Sequence, residues 1–460
     1  MFDTEFFKDK KVTVMRIGLL GRGVGDAAFL AEAGAIVRVV DSAPQEHMQQ
    51  SVDALAEYSN ISFAFGPYDF ADFKEADFVL VGAGAALDEP VLAACREADI
   101  PLKQSAAWFA ELSGIPIIGV TGTRGKSTVT HMIHHVLTEV TGEHILLGGN
   151  IRGVSNLQLL NEVKEDSLCV MELDSWQLQG WDWAKMSPQV AVFTNLLEDH
   201  LNYYQAGGKS KEEAMDLYFK DKANIFCWQE ESGTFITTPE VFALAKKLAG
   251  VSLGQEVVLA DASVIPEDAL LAMPGEHNRL NAALAYEALK AVSLTDEEIW
   301  PAIATFPGVP GRLEYLGERD GVKIYNDNNS TTPVATIAGM RAVGNVDDKN
   351  VVLILGGDEK HLDVTELLTE IPKWCSKVVL FKERGTDRIR DEVFAMQESV
   401  GLQVFEEEGL EATVQRALAV AAPGEVVLFS PGFSSFGKYF KNEYDRGDQF
   451  VKLVNQQPES

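Results

Sequence analysis

The stretch Ile117 to Thr130, I-I-G-V-T-G-T-R-G-K-S-T-V-T, runs an apolar strand into a glycine-rich turn and then into Lys126-Ser127-Thr128. This order predicts a phosphate-binding loop. Gly122 and Gly125 let the backbone turn tightly around Thr123 and Arg124, so successive N–H groups and the following helix N-terminus can surround phosphate oxygens. Lys126 adds a positive charge on a flexible stem, and the hydroxyl of Ser127 or Thr128 suits Mg²⁺. The spacing departs from G-x-x-x-x-G-K-[ST], because Val120 stands five positions before Gly125. The competing reading is an ordinary strand-to-helix turn that needs glycines; the strand before and the Lys-Ser pair after favour phosphate.

Downstream, Cys169-Val170-Met171-Glu172-Leu173 reads as a strand with a carboxylate at its far end, and Ala191 to Asn195 as another that delivers Leu197-Glu198-Asp199-His200. In open α/β sheets ligands bind at the carboxyl ends of strands, so the loop, Glu172 and His200 are expected to converge. A lone histidine is more often structural, and that convergence is what gives His200 weight. Upstream, Val12 to Asp26 contains V-T-V-M-R-I-G-L-L-G-R-G-V-G-D, followed by a helical run and a strand, Ile36 to Val40, ending at Asp41. Strand, glycine loop, helix, strand and acid follow the Rossmann order, but Gly21-Arg22-Gly23-Val24-Gly25 is shorter than G-x-G-x-x-G. Two readings stay open there: a nucleotide-like ligand with Asp41 near its ribose or base, or a purely structural doubly wound domain. After the turn-rich Pro307 to Gly311, apolar strands at Val322–Tyr325, Val351–Leu355, Lys377–Phe381 and Val426–Phe429 alternate with helical segments, as in a parallel sheet covered on both faces. The expected class is α/β in three domains: a Rossmann-like N-terminal domain (1–112), a central phosphate-loop ATPase domain with a mostly parallel sheet (113–308) and a C-terminal Rossmann-like α/β domain (309–460).

Composition narrows the function. With 39 basic against 69 acidic residues the formal charge is −30, which argues against nucleic acid as a partner. An acidic chain that binds anionic nucleotides must place its few cations at the phosphates, as Arg124 and Lys126 are placed. No apolar run nears the roughly 20 residues of a membrane span, and the start lacks a signal-like pattern, so a cytoplasmic, non-inserted protein is expected. Cys95, Cys169, Cys227 and Cys375 are scattered without C-x-x-C spacing, which predicts reduced, mostly buried thiols and neither a zinc site nor a disulfide framework.

T-G-T-R-G-K-S-T at 121–128, G-G-N-I at 148–151, M-E-L-D-S-W-Q-L at 171–178, N-L-L-E-D-H-L at 195–201, K-x-x-I-F from Lys222, G-x-H-N-x-x-N-A at 275–282 and N-D at 326–327 stand in the order and spacing of the Mur ligases, which the chain resembles over nearly its whole length. These are ATP-dependent amide-forming enzymes of peptidoglycan precursor synthesis. Ser430-Pro431-Gly432-Phe433-Ser434-Ser435-Phe436 and Leu355-Gly356-Gly357-Asp358 with Lys360 resemble the branch that adds D-glutamate to UDP-N-acetylmuramoyl-L-alanine. The resemblance implies ATP, two Mg²⁺ ions and an acyl-phosphate intermediate. By motif, Lys126 would hold the β- and γ-phosphates and Asn150 would lie near the transferred one. Ser127 and Glu172 would serve one Mg²⁺, His200 and a carbamylated Lys222 the other. Asn278 would lie near adenine, and Arg312 and Asp327 would reach the nucleotide. Thr331, Lys360 and Ser435, with Phe436 beside them, would grip D-glutamate, while Gly23, Val24, Gly25 and Asp41 would hold the uridine diphosphate. A monomer is expected.

Four departures from the pattern bear on specificity. Asn329 replaces a family lysine, Asp174 stands where serine is common, Gly82-Ala83-Gly84 replaces S-P-G, and one extra residue separates Phe436 from Phe440. Alternatives are a Mur-type ligase for another amino acid, a folylpolyglutamate-synthase-like ligase, which lacks the Rossmann-like first domain, and a phosphate-loop switch protein, which leaves the His200 and Lys222 motifs without a role.

Overall fold

A computed structural model of the chain describes residues 3–18, 21–248, 253–266, 269, 271, 273–359, 361–435 and 437–456. Lys360 and Phe436, expected at the amino-acid site, lie outside the described residues. The chain forms two compact units, 1–269 with 280–303, and 270–279 with 304–460.

The first unit carries two sheets. One comprises β1 (Lys11–Met15), β2 (Ile36–Asp41), β3 (Ile61–Phe65), β4 (Phe78–Val81) and β5 (Leu102–Lys103), in the order β3-β2-β1-β4-β5 with every pairing parallel. The order reverses between β1 and β4, which opens a crevice at their carboxyl ends. The other comprises β6 (Ile117–Thr121), β7 (Ile145–Gly149), β8 (Leu168–Glu172), β9 (Val190–Phe193), β10 (Thr234–Thr237) and β11 (Glu256–Leu259), in the order β11-β10-β9-β6-β8-β7, again all parallel. β6 therefore has β9 on one side and β8 on the other, which sets the phosphate loop between the ends that carry Asn195 and Glu172.

One hydrophobic core runs through both sheets. Phe7 and Phe29 from the N-terminal part meet Trp108 and Phe109 of the helix Ser105–Ser113, and the same cluster continues to Leu157, Leu178 and Phe193. Phe7 and Trp108 pack edge to face at 5.1 Å. That shared core explains why the two sheets make a single unit although each has its own glycine turn.

In the second unit, β12 (Glu314–Arg319), β13 (Val322–Asn326), β14 (Val351–Leu355), β15 (Cys375–Phe381), β16 (Gln403–Glu407) and β17 (Val426–Phe429) are ordered β12-β13-β17-β14-β15-β16. Only β12 runs antiparallel, with a bulge near Gly317. Val351, Leu353 and Leu355 enter one core and Val352 and Ile354 the other. Both faces of β14 are buried, as the period-2 geometry of an unbroken apolar strand requires.

Candidate active site

The loop after β6 is built by its neighbours. A Cβ on Gly122 (φ +140°) would fall on the Thr194 hydroxyl and 3.1 Å from the Asn195 nitrogen, and one on Gly125 (φ +84°) would strike the Asn281 amide. Glycine is needed twice, for conformation and for space. Asn195 then clamps the turn: its carbonyl accepts from the Thr123 N–H (2.9 Å), its Oδ1 from the Arg124 N–H (2.9 Å), and its Nδ2 donates to the Arg124 carbonyl (3.1 Å). Thr194 Oγ1 donates to that same carbonyl at 2.5 Å. Gly125 is the N-cap of the helix Lys126–Val140, and among the described residues no side chain caps it. The open helix N-terminus faces the turn as a phosphate site requires. Ser127 and Thr128 are buried in the first helical turn.

Lys126 Nζ donates to the Thr123 carbonyl at 3.2 Å, across the loop. Lys222, in the last turn of the helix Lys211–Ala223, is only 1% exposed, and its Nζ donates to the Gly122 carbonyl at 2.8 Å. The Tyr218 ring lies 4.8 Å from that nitrogen. Burial first, and then the charge of Lys126, push Lys222 well below the ordinary lysine range, with Asp174, Asp199 and Glu172 opposing. A lysine that sheds its proton is a nucleophilic amine.

Glu172 ends β8 and is 4% exposed. Asn150 binds it twice, by backbone N–H to the Glu172 carbonyl (2.7 Å) and by Nδ2 to Oε1 (3.1 Å). A Cβ on Gly149 would collide with the Glu172 backbone, so glycine lets β7 end this close to it. Arg22 donates to Asn150 Oδ1 and fixes the orientation of the amide. His200 sits at φ 55° before the short helix Leu201–Tyr204. Its ring is 4.6 Å from Trp176 and 6.1 Å from Tyr218. Burial lowers its pKa, which leaves the imidazole neutral and able to act as a ligand. Asp199 pairs with Arg124 at 3.1 Å and stands 4.0 Å from His200 Nε2. Lys222 contacts the loop, its charge and that of Lys126 act on His200, and the charge of Glu172 acts on Lys222, so the loop, Glu172 and His200 lie close together and Lys222 joins them, within one unit.

Asp174 resolves one of the departures. Its carboxylate accepts from the Gln177 N–H at 2.8 Å while Gln177 returns a bond to the Asp174 N–H, forming a capping box at the helix Ser175–Ala184. In the first sheet the glycine run needs a correction: Gly23, Val24 and Gly25 lie inside the helix Arg22–Glu32, whose N-cap is Gly21, and not in a loop before it. A Cβ on Gly25 would come 2.6 Å from Ser155 Cβ, so this glycine serves packing between the two sheets. Asp41 is buried and accepts from the Ala43 N–H at 3.0 Å.

In the second unit, Asp327 is 5% exposed and accepts from Ser430 Oγ (2.8 Å) and the Leu313 N–H (3.2 Å). Burial raises its pKa to about 6 against the opposing bonds and the charge of Arg312. Asn329 donates to the Pro310 carbonyl at 3.3 Å and its side chain fills the space beside Gly311, so it is a turn residue. The Thr331 N–H donates to the Asn329 carbonyl at 3.0 Å. Ser435 is 1% exposed, and among the described residues no atom partners its hydroxyl. Asn278 is buried and donates to the Pro274 carbonyl at 2.8 Å. Asn195, Asn281, Tyr218 and Arg22 escaped the sequence reading as site residues. Asn195, Asn281 and Arg22 lie in stretches quoted above, whereas nothing in the sequence marks Tyr218.

Residues 120–250 match the Mur ligase middle domain and 311–433 the Mur ligase glutamate ligase domain. The chain belongs to the Mur ligase family. It is 32% identical to a UDP-N-acetylmuramoylalanine–D-glutamate ligase of Roseiflexus sp. over 97% of this chain and 98% of that one. A ligase of the same name from Lactococcus lactis is 30% identical, with 97% of each chain covered. Among solved structures, the UDP-N-acetylmuramate-alanine ligase of Thermotoga maritima has the same fold (TM-score 0.58, 17% identity, 97% and 99% covered). So has the MurF ligase of that organism in complex with ADP (TM-score 0.57, 15% identity, 99% and 96% covered). The Mycobacterium tuberculosis folylpolyglutamate synthase complexed with ADP covers 77% of this chain at TM-score 0.56 and 16% identity, and is itself 95% covered.

Proposed function

We propose that this chain is an ATP-dependent ligase that joins D-glutamate to UDP-N-acetylmuramoyl-L-alanine, with ADP and phosphate as co-products. A carboxylate is a poor electrophile, so its oxygen first attacks the γ-phosphorus of ATP and ADP leaves. The amine of D-glutamate then adds to the acyl carbon, a proton is lost from nitrogen, and phosphate departs. The task left to the protein is positioning and charge neutralisation.

The observation that carries this reading is Lys222, buried with its amine on the Gly122 carbonyl of the phosphate loop. Two ammonium groups, Lys126 and Lys222, beside one phosphate would repel a metal. A neutral Lys222 amine can instead take up carbon dioxide and become an anionic oxygen donor. The remaining donors fit magnesium: the Ser127 hydroxyl and Glu172 carboxylate are hard oxygens and His200 is held neutral. Among the described residues no group of three or more His, Cys, Asp or Glu is arranged to hold a metal ion, which suits a cation that completes its shell with phosphate oxygens and water. Ser127 with Glu172, and His200 with carbamylated Lys222, would hold two Mg²⁺ ions, which when bound supply charge neutralisation at the transferred phosphoryl group. Lys126 donates to the β- and γ-phosphates, and Asn150, oriented by Arg22 and Glu172, steers the oxygen that attacks. In the C-terminal part, Arg312, Asp327 and Asn278 serve the nucleotide, and Thr331, Ser435, Lys360 and Phe436 serve D-glutamate. On this reading the chain divides into a substrate domain (1–112), an ATP-binding domain (113–308) and an amino-acid-binding domain (309–460).

Lys222→Ala tests the reading. It should be nearly inactive and regain part of its activity with short carboxylic acids, which can occupy the vacated anionic position; Lys220→Ala, on the exposed side of the same helix, should behave as wild type. A fully active Lys222→Ala enzyme contradicts the assignment. The folylpolyglutamate-type alternative is disfavoured by the complete five-stranded first sheet and its crevice.

A further inference from the structure

His200 and Lys222, which the functional reading gives to one Mg²⁺, come from different segments whose neighbouring residues are tied to each other. His200 precedes the helix Leu201–Tyr204, and Lys222 stands in the last turn of the helix Lys211–Ala223. A helix of one turn does not hold its own shape in water. His200 is also left-handed, at φ 55°, which for a residue with a Cβ costs about 1–2 kcal/mol and persists only where the surrounding structure fixes it. Two bonds help to fix it: the His200 carbonyl accepts from the Tyr203 N–H (3.0 Å) and the Tyr204 N–H (3.3 Å). The backbone of His200 is thus set by where Tyr204 lies.

Tyr204 is anchored at its far end. It is 5% exposed, its ring packs 5.3 Å from that of Tyr218, and its hydroxyl donates to Asp221 Oδ2 at 3.0 Å. The same oxygen accepts from Gln179 Nε2 at 2.7 Å, and Gln179 is 4% exposed in the helix Ser175–Ala184, which follows Glu172. Asp221 is the residue before Lys222. One carboxylate oxygen therefore joins the three segments that deliver Glu172, His200 and Lys222, with bonds strengthened by its charge. The charges felt at Lys222 come chiefly from Lys126, Asp174, Asp199 and Glu172, so what Asp221 contributes to the site is position.

Resting on the functional reading above, we propose that Asp221 is a positioning residue for the second Mg²⁺: through the Tyr204 hydroxyl it fixes His200 relative to Lys222, so that both can serve one ion.

Titration of Mn²⁺, standing in for Mg²⁺ and followed by electron paramagnetic resonance, against the full-length protein holding a β,γ-imido analogue of ATP tests this. Wild type should bind two ions, one of them lost in Lys222→Ala. Y204F removes only the hydroxyl and D221L the acceptor; each should weaken that same ion by about 10-fold and leave the other within about twofold. D221N keeps an oxygen able to accept both bonds and should recover most of what D221L loses. Adding Y204F to D221L should weaken binding no further, because both break one contact. Every variant is titrated below its own thermal transition. If wild type binds two ions and Lys222→Ala loses one, the inference alone is overturned by Y204F and D221L binding as wild type. Equal weakening of both ions, which marks a support of the fold only, also overturns it, as does a D221N as weak as D221L, which marks charge in place of position. Wild type with fewer than two ions, or Lys222→Ala that keeps both, overturns the metal assignment of the functional reading together with it.

Discussion

Lys126 and Lys222 reach the same loop from two different helices, with different work, and burial separates them. Lys126 is half-buried and bridges the turn to the Thr123 carbonyl. The loop's shape rests on its glycines and Asn195, so Lys126→Ala should lose turnover by about 100-fold or more with an unchanged thermal transition; turnover within twofold of wild type would remove Lys126 from the chemistry. Asp327 gives a pH prediction. Its folded pKa of about 6 lies above the ordinary 3.8, so between those values the folded state keeps a proton the unfolded state has lost, and stability falls as pH rises through the window. The slope integrates to about 3 kcal/mol at most. Denaturant titrations at pH 4 and pH 7 should show that Asp327→Asn gains stability relative to wild type at the higher pH; a pH-independent difference would mean the carboxyl titrates normally.

At the scale of elements, the strand-turn-helix at 117–140 was legible because three signals coincide: an apolar strand, glycines where φ must be positive, and a lysine-serine pair. The clamp around it was not, since Asn195 comes from the segment just after β9 and Asn281 from the helix Glu276–Ala291, some 70 and 155 residues away in the sequence. This predicts an asymmetry between the two glycines' needs. Gly125→Ala should weaken ATP binding, and adding Asn281→Ala should restore part of it by clearing the collision, but not all, because φ +84° still disfavours alanine by about 1 kcal/mol. Equal affinity of Gly125→Ala and wild type would show that the Asn281 contact is not needed. Asp174→Ala removes a capping box and should cost about 1 kcal/mol in unfolding free energy, measurable by denaturant midpoint. β12 and β16 were missed because both are edge strands with one partner, and Glu314, Glu318, Glu406 and Glu407 break the apolar runs that marked the inner strands.

At the scale of the whole molecule, two strand-glycine-helix starts and the alternating strands after Gly311 announced three sheets, and three are present among the described residues. What those starts could not reveal is that the first two sheets share one core through Phe7, Trp108 and Leu157, since that depends on side chains far apart in sequence. Among the described residues no helix is long and apolar enough to cross a membrane. Two units with separate cores predict two calorimetric transitions, of which ADP should raise the one containing the phosphate loop by mass action. The central claim is tested most directly by phosphate release with ATP, Mg²⁺, UDP-N-acetylmuramoyl-L-alanine and a panel of amino acids. Release should require both the acceptor and an amino acid, with D-glutamate favoured over L-glutamate. Release that ignores the amino acid, or a preference for folate over the muramoyl acceptor, would contradict it.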